Sequence, residues 1–423
     1  MKTQNGSLKS TVAVSLTNYL DAGSIVAGAS GLTLWQQYLG LAETDLGLLN
    51  ALSANCFGAA LGAIIGGRLA DKYGRKTIYT YNMLVYMLGV ATIMLSVNFP
   101  MLLAGFLITG ISVGVGVPAS WTYISETSEV ENRGRNIGIS QFAWSIGPAV
   151  IFLLGMLLAP LGLLGNRIIF GTLFVVAFIA WILQRQLNES EAWEKSKAEE
   201  KQNVVKPENP YKALLTNIVN IKTILFLVSI YLMWNLVAGV MGFFMPHVYE
   251  TAGGVTNEEA NRLQAVLWGI TAFVTYFGFA KLAGKVNQRI LYFFGTLLGV
   301  AAWVVLTYVG ISDKTALWTF VILWGVHAGF GVQAFYALWS SELFPAKYRA
   351  GAQGLMFFIV RGGAAIWSFV FTYIYGHYGF NATGQIMVIL LVAALLTGTI
   401  LAPETRGKTL DQITKDRYGD NIK

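Results

Sequence analysis

The chain is short of charge. Asp, Glu, Lys and Arg make up 12% of its 423 residues while hydrophobic residues make up 55%; ordinary soluble domains carry roughly a quarter charged residues. So few charges cannot cover so much apolar surface in water, and the composition is that of a polytopic membrane protein. Cysteine is almost missing: Cys56 alone excludes an internal disulfide framework and reads as a packing residue in a helix. Nor does the sequence hold a nucleotide-binding loop, a metal-ligating cluster or a nucleophile with its base. Enzymology and nucleotide-driven pumping are not expected, and no cofactor is expected. The leading MKTQNGSLKS runs into an apolar stretch without a small-residue cleavage site, the pattern of an uncleaved first span.

What the chain has is apolar runs of spanning length, about 20 residues each. Twelve are expected, near 11–33, 46–70, 77–97, 101–124, 136–159, 167–187, 221–248, 263–284, 289–310, 315–340, 350–376 and 382–402. The fold class that follows is an all-α membrane protein of twelve transmembrane helices in two six-helix, pseudo-symmetric halves. Of 29 Lys and Arg, 25 fall on the side of the termini, three (Arg167, Arg262 and Lys314) on the other, and Arg361 inside a span. That bias places both termini in the cytoplasm, in a plasma (inner) membrane. It also explains the +7 net charge without a nucleic-acid partner. The expected units are a first half at 1–187, a cytoplasmic linker at 188–220, a second half at 221–402 and a tail at 403–423. Glu and Lys spaced for a helix fill the linker until Pro207 and Pro210 break it; it is either a solvated connection or a docking site. The expected partners are lipid, a small solute and a proton, and the chain is expected to be a monomer.

A repeat joins the halves. Ser-Glu, six residues, Arg, four residues, Gly occurs as Ser125-Glu126 to Arg133 to Gly138, and again 216 residues later as Ser341-Glu342 to Arg349 to Gly354. Each copy is a charged hairpin between apolar runs, and duplication at this scale is a common plan of secondary transporters.

Gly66-Gly67-Arg68-Leu69-Ala70-Asp71-Lys72-Tyr73-Gly74-Arg75-Lys76 resembles the loop between the second and third helices of the major facilitator superfamily. Its second-half counterpart near Gly284-Lys285-Val286-Asn287-Gln288-Arg289 is degenerate. The Ser-Glu…Arg hairpins, with Pro403-Glu404-Thr405-Arg406-Gly407-Lys408 after the last span and a worn Asn188-Glu189-Ser190 after the sixth, resemble the sugar porter family within it. The resemblance implies alternating access, with Asp71, Arg75, Glu126, Arg133, Glu342, Arg349 and Glu404 as a cytoplasmic gate. Surface ion pairs of about 0–1 kcal/mol each would suit a gate that must break on every cycle; some of these pairs would otherwise just hold loops.

Selection and coupling are expected elsewhere. Charges deep in a bilayer are costly and mark function, and two are present: Asp21 in the first span, with Asn18 one turn earlier, and Arg361 in the eleventh. Asp21 matches the position where proton-coupled sugar porters carry a coupling Asp. Their partnering Arg in the fourth span aligns with Phe106, and their seventh-span Gln-Gln with Trp234-Asn235, so coupling pair and hexose site both depart from the pattern. Arg361 suits a substrate carboxylate, a partner for Asp21, or a packing role. Gln141, Trp144, Ser145 and Pro148 share one face of the fifth span; Gln141 matches a sugar-binding Gln of sugar porters. With Trp234, Asn235, Gln333, Tyr336, Asn18 and Arg361 they are the candidate substrate site. His327 lies well around the tenth helix from Gln333, where a satisfied core histidine is expected. The reading is proton-coupled import of a sugar or sugar-derived solute. The alternative is an organic-anion (carboxylate or sugar-acid) carrier centred on Arg361. Gly147-Pro148 resembles a drug–proton antiporter signature, but Ile151-Phe152 stands where its glycines belong; a non-transporting sensor is the remaining class.

Overall fold

The computed structural model describes residues 2–41, 43–202, 210–245, 248–249, 252–255 and 257–419. The expected break at Pro207 and the last four residues of the tail fall outside them. The chain forms twelve transmembrane helices in two pseudo-symmetric halves. The first half comprises Lys2–Leu39, Glu43–Leu52 with Phe57–Tyr73, Arg75–Met94, Phe99–Thr127, Arg133–Leu158 and Gly162–Gln184. The second comprises Ile218–Phe243, Asn257–Val274 with its continuation to Leu282, Gln288–Tyr308, Lys314–Phe330 with Val332–Glu342, and the run Arg349–Leu401. Gly379, at φ 75°, turns that last run between the eleventh and twelfth spans. The linker contributes helices Glu191–Gln202 and Pro210–Thr216, and the tail contributes Leu410–Tyr418.

Three spans are less regular than their apolar runs imply. The second, expected to be continuous over 46–70, is interrupted at residues 53–56. There the Ser53 hydroxyl accepts from the Asn55 N–H at 3.2 Å, the local bond through which such side chains compete with the helical ladder. The tenth breaks at Gly331, which is extended (φ −70°, ψ 178°), and the eighth carries one π-helical turn at Thr275–Phe279. Among the described residues nine helices are long and apolar enough to cross a membrane on length and composition alone. The first, second and eleventh spans are not among them; they carry Asp21, the 53–56 break and Arg361.

Small residues set how closely the halves meet. Gly138 and Gly354 are the repeat's glycines. A Cβ on Gly138, in the fifth span, would lie 2.5 Å from the Ala280 backbone of the eighth, and one on Gly354, in the eleventh, 2.2 Å from the Ala63 carbonyl of the second. No side chain fits at either crossing, so glycine there fixes backbone-to-backbone contact between halves.

Candidate transport site and gate

The side carrying the termini is closed by a polar latch that crosses the halves. Glu126 Oε1 accepts from Arg75 Nη2 at 3.1 Å and from Arg349 Nη1 at 2.8 Å. In the mirror arrangement, Arg133 Nη1 donates to Glu342 Oε1 at 2.9 Å. The first-half Glu thus binds the second-half Arg, and the second-half Glu the first-half Arg. Between them Ser125 Oγ donates to the carbonyl of Ser341, its own repeat counterpart, at 3.2 Å. Asp71 pairs with Arg75 at 3.2 Å and accepts the Gly351 N–H at 2.6 Å. Thr122 and Gln353 are hydrogen-bonded across the same seam at 2.7 Å.

Two features differ from expectation. The latch pairs are not surface pairs: their side chains are 0–5% exposed, because the hairpins fold beneath the linker and tail. Desolvation therefore enters their energetics, and such pairs hold firmly only while both partners remain. Glu404 is not brought into the latch; its side chain, 39% exposed, pairs with Arg406 at 3.8 Å. Its neighbour Thr405 takes that place, donating to Glu342 Oε2 at 2.5 Å. Asp71 sits in the last turn of the Phe57–Tyr73 helix of the second span, on this face.

Midway through the spans the two buried charges meet. Arg361 Nη2 lies 3.8 Å from Asp21 Oδ2, with side chains 4% and 1% exposed. Trp144 Nε1 donates to the same Asp21 oxygen at 2.8 Å. Arg361 Nη1 donates to both the carbonyl and the side-chain Oδ1 of Asn55, each at 3.1 Å, and the guanidinium lies over the Phe357 ring at 4.8 Å. Asn55 belongs to the interrupted turn of the second span.

Beside this cluster lie two adjoining cavities of about 30 and 40 Å³ that share Trp144, Trp234, Ala238, Trp268 and Gln333. Each holds only a few waters, whereas solute pockets run to several hundred Å³, so the site is contracted and must widen to admit a solute. Gln333 Nε2 donates across the halves to Gln141 Oε1 at 3.2 Å, and Trp144 packs on Trp268 with centroids 5.3 Å apart. Asn235 borders the second cavity. Tyr336 stacks on Tyr231 at 4.0 Å and meets the edge of Trp121. Neither Asn18 nor Tyr336 borders either cavity. The Asn18 amide donates to Ser120 and accepts from Trp121 Nε1, so it sets the indole that touches Tyr336. Trp234 spends its N–H on His327 Nε2 at 3.0 Å, and His327 Nδ1 donates to the Gly295 carbonyl at 2.8 Å. That leaves the Trp234 ring face for the cavity and His327 fully satisfied.

Several buried polar atoms have no partner in the protein: on residues that line the cavities, Gln141 Nε2, Gln264 Nε2 and Arg361 Nε as donors and Asn235 Oδ1 as an acceptor, and off the lining Asp21 Oδ1 as an acceptor and the Tyr231 and Tyr336 hydroxyls as either. Unpaired groups so deep are costly, and a bound solute or water would satisfy them. Sequence reasoning missed Asn55, Gln264 and Trp268. Asn55 and Gln264 were detectable as amides inside apolar runs; Trp268 had no signal beyond being aromatic.

Comparison with known proteins agrees with this architecture. The family model for the Major Facilitator Superfamily matches residues 12–368. The minor myo-inositol transporter IolF of Bacillus subtilis (strain 168) is 44% identical over 414 residues, covering 97% of this chain and 94% of its own. The probable quinate permease of Aspergillus flavus is 25% identical over 448 residues, covering 88% and 80%. Among solved structures, the proton:xylose symporter XylE of E. coli bound to 6-bromo-6-deoxy-D-glucose superposes with a TM-score of 0.83 at 17% identity, covering 97% of this chain and 98% of its own.

Proposed function

The chain belongs to the major facilitator superfamily, and from that premise we propose that it imports a neutral cyclic polyol such as myo-inositol, coupled to protons, by alternating access. The observation that carries this reading is the set of unpartnered donors and acceptors around tryptophan-faced cavities between the halves. A ring bearing hydroxyls on its rim and C–H bonds on its faces matches such a lining, amides meeting hydroxyls and indoles meeting the faces. The 44% identity to a myo-inositol transporter supports the same solute class. Gln141, Trp144, Trp234, Asn235 and Gln333 would hold the solute. Asn18 and Tyr336 would act one layer behind them.

Asp21 is the proposed proton carrier, with Arg361 in the eleventh span as its counter-charge in place of the fourth-span arginine, where this chain has Phe106. Because Arg361 already faces Asp21 and Asn55, its charge is compensated, which favours a neutral solute over a carboxylate. The latch side is proposed to be cytoplasmic, as the basic residues indicate, in a plasma membrane, with the first half, linker, second half and tail divided as the sequence suggests and the chain acting as a monomer.

Purified protein in proteoliposomes should concentrate radiolabelled myo-inositol under an inward proton gradient and lose the accumulated pool on addition of a protonophore. Neutral polyols should compete and carboxylates should not. Asp21→Asn should keep exchange of internal for external inositol and lose accumulation. Competition by carboxylates alone would replace this reading with the anion carrier, and full accumulation by Asp21→Asn would remove Asp21 from coupling.

A further inference from the structure

We propose that Asn55 is a second seat for the Arg361 guanidinium, so that a proton arriving on Asp21 shifts the cation's hold from the first span to the second. The inference rests on the proton-coupled reading above and deepens it. Its basis is the way one guanidinium is divided between two spans of the opposite half. Nη1 makes two bonds at 3.1 Å, to the Asn55 carbonyl and side chain. Nη2 faces Asp21 Oδ2 at a looser 3.8 Å, and that oxygen already accepts from Trp144 at 2.8 Å. The other Asp21 oxygen has no partner.

The interrupted turn makes this seat. Helical pairing resumes with Ala60 N–H donating to the Cys56 carbonyl, one residue past Asn55, so the Asn55 carbonyl lies outside the ladder and is turned to Arg361. The physical need for it is general. A buried cation whose anion is neutralised must find other oxygens or leave the interior. Two neutral oxygens on one residue meet that need without holding the proton-carrying carboxylate in place. In this scheme protonation of Asp21 releases the first span from the eleventh while the second span keeps its hold.

Few other groups complicate the titration. Arg361 is the one charged side chain acting on Asp21 among the described residues. Tyr86 of the third span, Tyr231 of the seventh and Tyr336 of the tenth face the pair as phenols, and Cys56 faces Arg361 as a thiol. All are neutral across the assay range. Trp144 of the fifth span and Phe357 of the eleventh complete the surroundings.

A purely architectural role for Asn55 and the proposed role differ in the sign of two substitutions. Asn55→Asp gives Arg361 an anion independent of Asp21, so Asp21 takes its proton more readily. The pH midpoint of gradient-driven inositol uptake, normalised to each variant's own maximum, should rise by about one unit, the scale of a hydrogen bond to a charged group. Asn55→Ser removes the side-chain carbonyl and leaves Arg361 leaning on Asp21, so the midpoint should fall by a comparable amount. Counterflow exchange in the same vesicles reports whether each variant is folded. Midpoints that stay at the wild-type value, or move together in one direction, overturn the proposal while leaving the coupled reading intact. If Asn55→Asp fails to fold, the Asn55→Ser midpoint decides alone. A wild type that exchanges inositol but never concentrates it refutes the coupled reading, and this inference with it.

Discussion

Replacing Glu126 with Gln should spring the latch. Its Oε1 holds an arginine from each half, Arg75 at 3.1 Å and Arg349 at 2.8 Å, with all three side chains at most 2% exposed. Removing one partner of a buried ion pair costs about 3–5 kcal/mol because the charge left behind is still desolvated. When the latch opens, the same arginines reach water, where such a pair is worth only about 0–1 kcal/mol. The difference, about 2–5 kcal/mol, falls on the closed state alone. At about 1.4 kcal/mol per factor of ten, the closed-to-open ratio should drop roughly 30- to 4000-fold, nearer the lower figure because Gln keeps one acceptor oxygen.

The single cysteine makes this measurable. In a Cys56→Ser background, Ser340→Cys places the one thiol at a fully buried position behind the latch. Its alkylation by a bulky water-soluble maleimide reports how often the latch opens. Glu126→Gln should speed labelling by at least about tenfold, whereas Glu404→Gln, which removes an exposed 3.8 Å pair, should leave it within about twofold. Equal labelling in Glu126→Gln and the parent would refute the reasoning, because a buried anion shared by two arginines could not then be holding the halves together.

Gly62→Ala should destabilise the first half, because the new Cβ would lie 1.9 Å from the Ile111 carbonyl of the fourth span, a backbone atom that cannot step aside. A thermal midpoint in detergent equal to the parent's would show that the second and fourth spans can part there without loss.

The architecture was legible in the sequence because a lipid environment leaves few options. Apolar runs of spanning length must be helices, the bias of Lys and Arg orients them, and the repeat of Ser125–Gly138 at Ser341–Gly354 announces two halves. The central charges were legible for the same reason: Asp21 and Arg361 stand out in apolar surroundings. Their meeting was not, since 340 residues separate them in the chain and no local pattern encodes contact between the first and eleventh spans. The break at 53–56 was hidden because Ser-Ala-Asn-Cys contains neither Pro nor Gly, and its signal is the capacity of Ser53 and Asn55 to bond locally. Burial of the latch was hidden as well. Charged hairpins look solvated when read one at a time, and only folding them against each other removes the water.

The crossed pairing of the latch has a mechanical consequence. Ser125 touches its own counterpart, so it lies at the molecule's pseudo-dyad, and the Glu126–Arg349 and Glu342–Arg133 bridges stand on either side of it as exchanged copies. Self-complementary surfaces of this kind are familiar between identical subunits, and here one polypeptide makes such a surface with itself. Any rocking of the halves lengthens both bridges by comparable lever arms, and water entering at one soon reaches the other. Opening should then be all-or-none, like a two-bolt lock turned by one key, with no stable posture in which a single bolt is drawn.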